Sequence, residues 1–263
     1  MEVHHHSHLP HQSKPWKQYL TEGLMIFVAV SLGYAAENIR HHYIEEKKAI
    51  VSLQNLYKDL KQDSISYIFA IEERSKQDSC YEIISKLYDE KKILNEIPSV
   101  YVTHSFLALR TMPIMNTMAL DQIKNSGTLN LIENEELKQA ILGYASDAEG
   151  LKIRGEREFG FIDRMIDPIS INSFEYKFFQ ELCKIDDIGN INNKIPMNIP
   201  VPEGLKLNNQ NTFDWNNYFS ILSMLKTIRT STARMYLLPT QQKCYKLMAH
   251  VRNYLQEHNA LID

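Results

Sequence analysis

Between Glu22 and Glu37 lie fourteen residues without a charge, Gly-Leu-Met-Ile-Phe-Val-Ala-Val-Ser-Leu-Gly-Tyr-Ala-Ala, preceded by Trp16, Tyr19 and Leu20. That run falls short of the roughly 20 residues that cross a bilayer. Counted from Trp16, with Glu22 near one edge and Lys17 reaching outward, the segment 16–36 attains the length and predicts a transmembrane anchor. A run this short also fits a buried core helix, and Gly33-Tyr34-Ala35 has the small-x-small form that signal peptidase accepts. The residues that follow argue against cleavage. Helical periodicity continues through Ile39, Tyr43, Ile50, Leu53, Leu56 and Leu60 with no Pro or Gly, as one helix leaving the membrane for a soluble body.

Helical spacing persists, with charged outer faces, to about Asn95, where Pro98 closes it. Residues 103–126 predict one or two helices interrupted at Pro113, and Gly127 is a C-terminal stop. Asn134 is placed to cap a helix of about 135–166 with Leu137, Ile141, Tyr144, Ala148 and Leu151 inward, which Pro168 ends. A shorter helix is expected over 173–184. Asn, Pro and Gly then accumulate between Ile185 and Asn211, predicting a long ordered loop or linker. Asp214 caps a helix to about Leu237, and Pro239 opens another to about Glu257. Strand alternation is nearly absent. The expected fold is all-α, an N-terminal transmembrane helix continuing into a soluble bundle of five to seven helices. The expected divisions are a His-rich disordered tail at 1–15, the anchor at 16–36 and the helical domain at 37–263, with its long loop at 185–211.

Composition adds that this body is packed: of 263 residues 44% are hydrophobic and 23% charged, with only 9 Gly and 9 Pro. A net charge of −3 gives no basic excess to draw the chain onto phosphate backbones, so nucleic acid is excluded as an expected partner. Cys80, Cys183 and Cys244 are odd in number and far apart, which fits core or incidental thiols rather than a disulfide framework. Five histidines stand in the first eleven residues. Clustered imidazoles bind transition metals, but this tail lacks a hydrophobic pattern to fix a site, and adventitious affinity is the simpler reading.

At 100° per residue, Glu22, Ala29, Gly33 and Ala36 share a face of the span with Glu37 and Arg40. Small residues there let another helix approach closely, so the expected partners are the lipid bilayer and a second copy or another membrane protein. Glu37, His41 and Glu45 fall at i, i+4 and i+8, half of a metal site that a partner helix would have to complete; solvated ion pairs explain the same spacing. Glu156, Glu158, Asp163 and Asp167 alternate with Arg154, Arg157 and Arg164 as on a salt-bridged outer face. P-loop, GxSxG, HExxH and dinucleotide patterns are missing, so no catalytic residue and no cofactor is expected. The reading is a membrane-anchored binding, sensory or scaffolding protein, and the alternative is a membrane-associated enzyme or metal-binding protein with an unfamiliar helical site.

Two stretches carry a likeness to a known family. In the span they are Glu22, the large apolar run, Gly33, Asn38 and Arg40; in the middle of the chain they are Leu120 to Leu137, with the Ser126-Gly127 turn, Leu131-Ile132 and the Asn134 cap. These resemble an uncharacterised family of short single-span bacterial membrane proteins, domain of unknown function 6090. The likeness covers the first sixty residues and the middle well and the C-terminal third poorly. The His-rich start and the lack of a tryptophan just after Asn38 depart from it. Lys14, Lys17 and the amino terminus nearly balance Arg40, Lys47 and Lys48, so charge leaves orientation open. The resemblance implies the cytoplasmic membrane, a cytoplasmic N-terminus and a helical domain on the far side, and it implies no activity. Gly127 and Asn134 read as a structural turn and cap.

Overall fold

The computed structural model describes residues 16–182 and 201–260, and every described element is helical. In chain order these are α1 (Trp16–Asp89), α2 (Ile97–Ala108), α3 (Met118–Asn125), α4 (Glu135–Phe161), α5 (Asp167–Ser173), α6 (Tyr176–Leu182), α7 (Trp215–Thr232) and α8 (Leu238–Glu257). Short 3₁₀ turns cover Ile93–Asn95 and Thr128–Leu131. The chain divides into two compact units, residues 1–49 and 50–263, with the division within α1.

In the first unit the apolar stretch near the N-terminus is long and apolar enough to cross a membrane, and none of it is buried against the rest of the chain. The His-rich tail and Cys183 lie outside the described residues, as does most of the expected 185–211 loop.

In the second unit, α1 buries Leu53, Leu56, Leu60, Asp63, Tyr67, Ala70, Arg74, Gln77, Cys80 and Ile84. Their near-regular steps of three and four hold an average close to 3.5 residues, which winds a straight helix left-handedly around its neighbours. Helix α4 packs chiefly against α8 and buries Leu137, Ile141, Tyr144, Ala148 and Leu151, the inner face that spacing predicts. Around Tyr101 of α2, edge-to-face contacts with Phe174 and Phe178 join α2 to α6.

The proline readings need correction. Pro98 opens α2; α1 ends earlier, at Asp89, where Lys91 takes a left-handed conformation (φ 57°). Lys92 N–H bonds Leu87 O at 2.9 Å and Lys91 N–H bonds Tyr88 O at 2.9 Å, the Schellman pattern with lysine where glycine is usual. Pro113 sits in an irregular segment, 109–117, between α2 and α3. Neither Pro168 nor Pro239 breaks its helix. Each stands two residues after a π turn, Ile162–Ile166 or Ala233–Leu237, in which the residue before proline bonds five residues back: Asp167 to Ile162 O, Leu238 to Ala233 O. The wider turn moves away the carbonyl a proline ring would strike. Helix therefore runs unbroken from Glu135 to Ser173 and again from Trp215 to Glu257, giving six helical runs among the described residues. The expected helix at 173–184 is instead the end of the first of these runs and the separate α6.

The Asn134 cap forms as spacing predicts, its side chain accepting Leu137 N–H at 2.9 Å, and Gly127 holds φ 75°. Asn134→Ala should cost about 1 kcal/mol of stability. Urea unfolding followed by circular dichroism checks this; an unchanged midpoint would show the cap to be redundant.

Candidate functional site

Along the span, Ala29, Gly33 and Ala36 are exposed and Glu22 is half-covered. A Cβ added at Gly33 would meet no atom within 4 Å, so nothing in this chain requires glycine there. Glu37 is engaged by Arg40, whose Nε and Nη2 donate at 2.9 and 2.5 Å, while His41 Nδ1 lies 3.3 Å from Glu45. The three candidate ligands thus sit in two separate side-chain pairs. Among the described residues no group of three or more His, Cys, Asp or Glu side chains is placed to hold a metal.

The densest polar chemistry lies under segment 109–117. Irregular backbone against a core needs hydrogen-bond partners, and one face of α1 supplies them. Gln77 donates to Leu109 O at 3.0 Å and to Phe106 O at 3.3 Å, and Arg74 Nη2 donates to Thr111 O at 2.9 Å. Ser66 Oγ accepts Ile114 N–H at 2.6 Å, Asp63 accepts Asn116 N–H at 2.7 Å, and Asp59 accepts Ala119 N–H at 3.1 Å. Donors thus meet the carbonyl end of α2 and carboxylates meet the amide end of α3, as the two helix dipoles favour. This is why a core stripe contains Asp63, Arg74 and Gln77. Burial, its largest influence, pushes the Asp63 carboxyl above its usual range; Tyr144 OH donates to it at 2.8 Å.

Glu158 corrects the outer-face reading of α4. It is fully buried between two arginines, 3.0 Å from Arg74 Nη2 and 3.4 Å from Arg229 Nε. The inner stripe Tyr144, Ala148, Leu151 continues at the same spacing through Gly155 and Glu158 to Ile162. Spacing was the available signal; Gly and Glu masked it. Gly155 has a steric reason, because a Cβ there would lie 2.7 Å from Met112 Cε. The cluster carries one net positive charge, and burial brings the Arg229 guanidinium down to about 10 against the opposing pull of Glu158. Arg74 Nε and Nη1 and Arg229 Nη1 have no protein partner. The rest of the expected charged face is outward: Arg110 bridges Asp163 and Asp167, and Arg154 bonds Ser231 and Thr232.

Two clefts flank the segment. One, of about 510 Å³, is lined by Arg110, Met112, Lys152, Glu156 and Phe159, and the other, of about 630 Å³, by Ile65, Phe69 and Asn116; Ile114 and Met115 line both. Between them Ile114 is 85% exposed, and Ile65 and Phe69, which line the second cleft with it, are also open to solvent, so these apolar side chains are grouped rather than scattered.

A third arrangement, unsignalled in the sequence, joins α2, α5 and α7. His104 is wholly buried and stacked on Phe174, with Nε2 2.8 Å from Ser170 Oγ and Nδ1 3.0 Å from Tyr218 OH. Ser, His and Tyr in this order suggest an activated nucleophile, and the tautomer assigned from the hydrogen-bond partners argues against it. Tyr218 hydroxyl is buried with His104 as its partner, so it donates to Nδ1; Nε2–H then donates to Ser170, whose own hydrogen goes to Ile166 O at 3.2 Å. In that tautomer His104 has no lone pair to take the serine proton. Burial pushes the imidazole down to about 3, which keeps it neutral. Comparison of the chain with protein-family models, with curated proteins and with solved structures finds no match in any of the three.

Proposed function

We propose that the chain is a membrane-anchored helical interaction module, fastened by α1 and presenting a binding surface around segment 109–117. One observation carries this reading. The buried polar groups under that segment serve its own backbone, while Ile114 and Met115, which line one cleft with Ile65 and Phe69, present apolar and adaptable side chains toward solvent. A module that works by contact needs such a surface and no convergent reactive groups. Its resemblance to the uncharacterised single-span bacterial family supports placing the anchor in the cytoplasmic membrane with the N-terminus cytoplasmic and the helical body outside. Exposed Ala29, Gly33 and Ala36 support assembly through the span, with a second copy or another membrane protein as the partner.

Extraction and crosslinking test the two parts. The protein should stay with membranes through high salt and carbonate, because hydrophobic transfer and not charge holds α1; recovery of full-length protein in the soluble fraction would end the anchor reading. Single-cysteine variants, on a background lacking Cys80, Cys183 and Cys244, should crosslink in native membranes and lose most of that crosslinking with Gly33→Leu but not with Leu24→Val. Equal crosslinking in the wild type and Gly33→Leu would remove the span as the interface.

A further inference from the structure

We propose that the cleft at α5 and α6 binds a small organic ammonium, a protonated amine carried on an aromatic or alkyl body. The cleft encloses about 450 Å³, the size that small ligands occupy, and its walls are Ile171, Phe174, Tyr176 and Phe179. Phe174 is buried with one face stacked on His104, so the rings open to a ligand are Tyr176 and Phe179, and aromatic faces attract cations. The lining's other members are Asp167 and Ser170. Among the described residues Asp167 is the one carboxylate lining the cleft, and it is not fully neutralised: Asp163 and Asp167 share the single guanidinium of Arg110, which lies 2.6 Å from Asp167, so the trio carries a net charge of −1.

Ser170 adds to the same sign. Its hydroxyl hydrogen is committed to Ile166 O and one lone pair to His104 Nε2–H, which leaves an acceptor for a ligand and no donor. The imidazole behind it contributes no repelling charge, since burial holds it neutral. Both polar side chains of the lining are therefore acceptors beside aromatic residues, which favours a cationic donor and disfavours an anion. Arg110 competes for Asp167, and a ligand ammonium displaces it toward Asp163, where it keeps an ion pair.

The test is calorimetric titration of the full chain in uncharged maltoside micelles, which bring neither an amine nor a charge. The probe is 2-phenylethylammonium, with 2-phenylethanol and 3-phenylpropionate as neutral and anionic compounds of the same body. The ammonium should bind at least about tenfold more tightly than either, with Asp167→Asn removing about a tenfold share of the affinity, the equivalent of one lost ion pair. Arg110→Gln should tighten the ammonium several-fold by freeing Asp167, a direction that loss of a purely structural ion pair does not produce. Melting temperatures report whether each variant is folded, and Arg110→Gln keeps the test decisive should Asp167→Asn fail to fold. No ammonium binding, a preference for the propionate, or unchanged or weaker binding in Arg110→Gln would overturn the proposal.

Discussion

Replacing Glu158 by Gln will destabilise the helical body by about 3–5 kcal/mol, because it leaves Arg74 and Arg229 charged in the core with no counter-charge. Urea unfolding at neutral pH, followed by far-ultraviolet dichroism, measures this, and a loss under about 1 kcal/mol would mean that water reaches the cluster and screens it. A second variant separates the pairing from the packing. Buried ionic triads can often be exchanged for apolar residues at little cost. Here Arg74→Met, Glu158→Leu and Arg229→Met together should still be costly, because Arg74 also donates to Thr111 O at 2.9 Å, whereas Leu109 O, on losing Arg229, keeps Gln77. Orphaning a buried carbonyl costs about 1–3 kcal/mol. If the triple variant matches the wild type, the arginines are not holding segment 109–117.

Acid should weaken the fold from about pH 6.5 downward through His104. Its folded value, about 3, lies below the ordinary 6.5. In that window the unfolded chain binds a proton that the folded chain refuses, so His104's contribution is complete above pH 6.5 and is lost as the pH falls toward 3. The loss is about 1.4 kcal/mol per pH unit once the unfolded imidazole is protonated, or about 2 kcal/mol between pH 7 and pH 5. Asp63 works with the opposite sign. Its folded value is raised, so the stability it contributes is complete below the ordinary carboxyl value of 3.8 and is lost as the pH rises through the raised one. Comparing the wild type with His104→Gln between pH 7 and pH 5 isolates the histidine. The variant should be less stable at pH 7 and should lose about 2 kcal/mol less on acidification; parallel curves would show that His104 takes up its proton in the folded state as readily as in the unfolded one.

The fold class, the long apolar helix near the N-terminus, the Asn134 cap, the Gly127 turn and the inward stripe of α4 down to Leu151 were legible because each depends on residues within about four positions of one another. The ends of α1 and the prolines were less legible. Lys91 closes α1 in a conformation usually taken by glycine, and a π turn before Pro168 and Pro239 keeps helices going where the ring alone would stop them. Helical spacing carried Glu158 to the inner face just as it carried Leu151, but a carboxylate read by type alone belongs on the surface.

By itself the sequence determined that this protein is helical, which faces of its helices are apolar, and that one helix near its N-terminus is long and apolar enough for a membrane. Helices close their hydrogen bonds locally, so spacing and caps suffice. Only the tertiary structure decided which polar residues are interior. Arg74 and Glu158 are 84 positions apart, Arg229 and Glu158 are 71, and His104 and Tyr218 are 114. A charge or an imidazole is buried when distant backbone and side chains arrive to satisfy it, and no local pattern records where those partners come from.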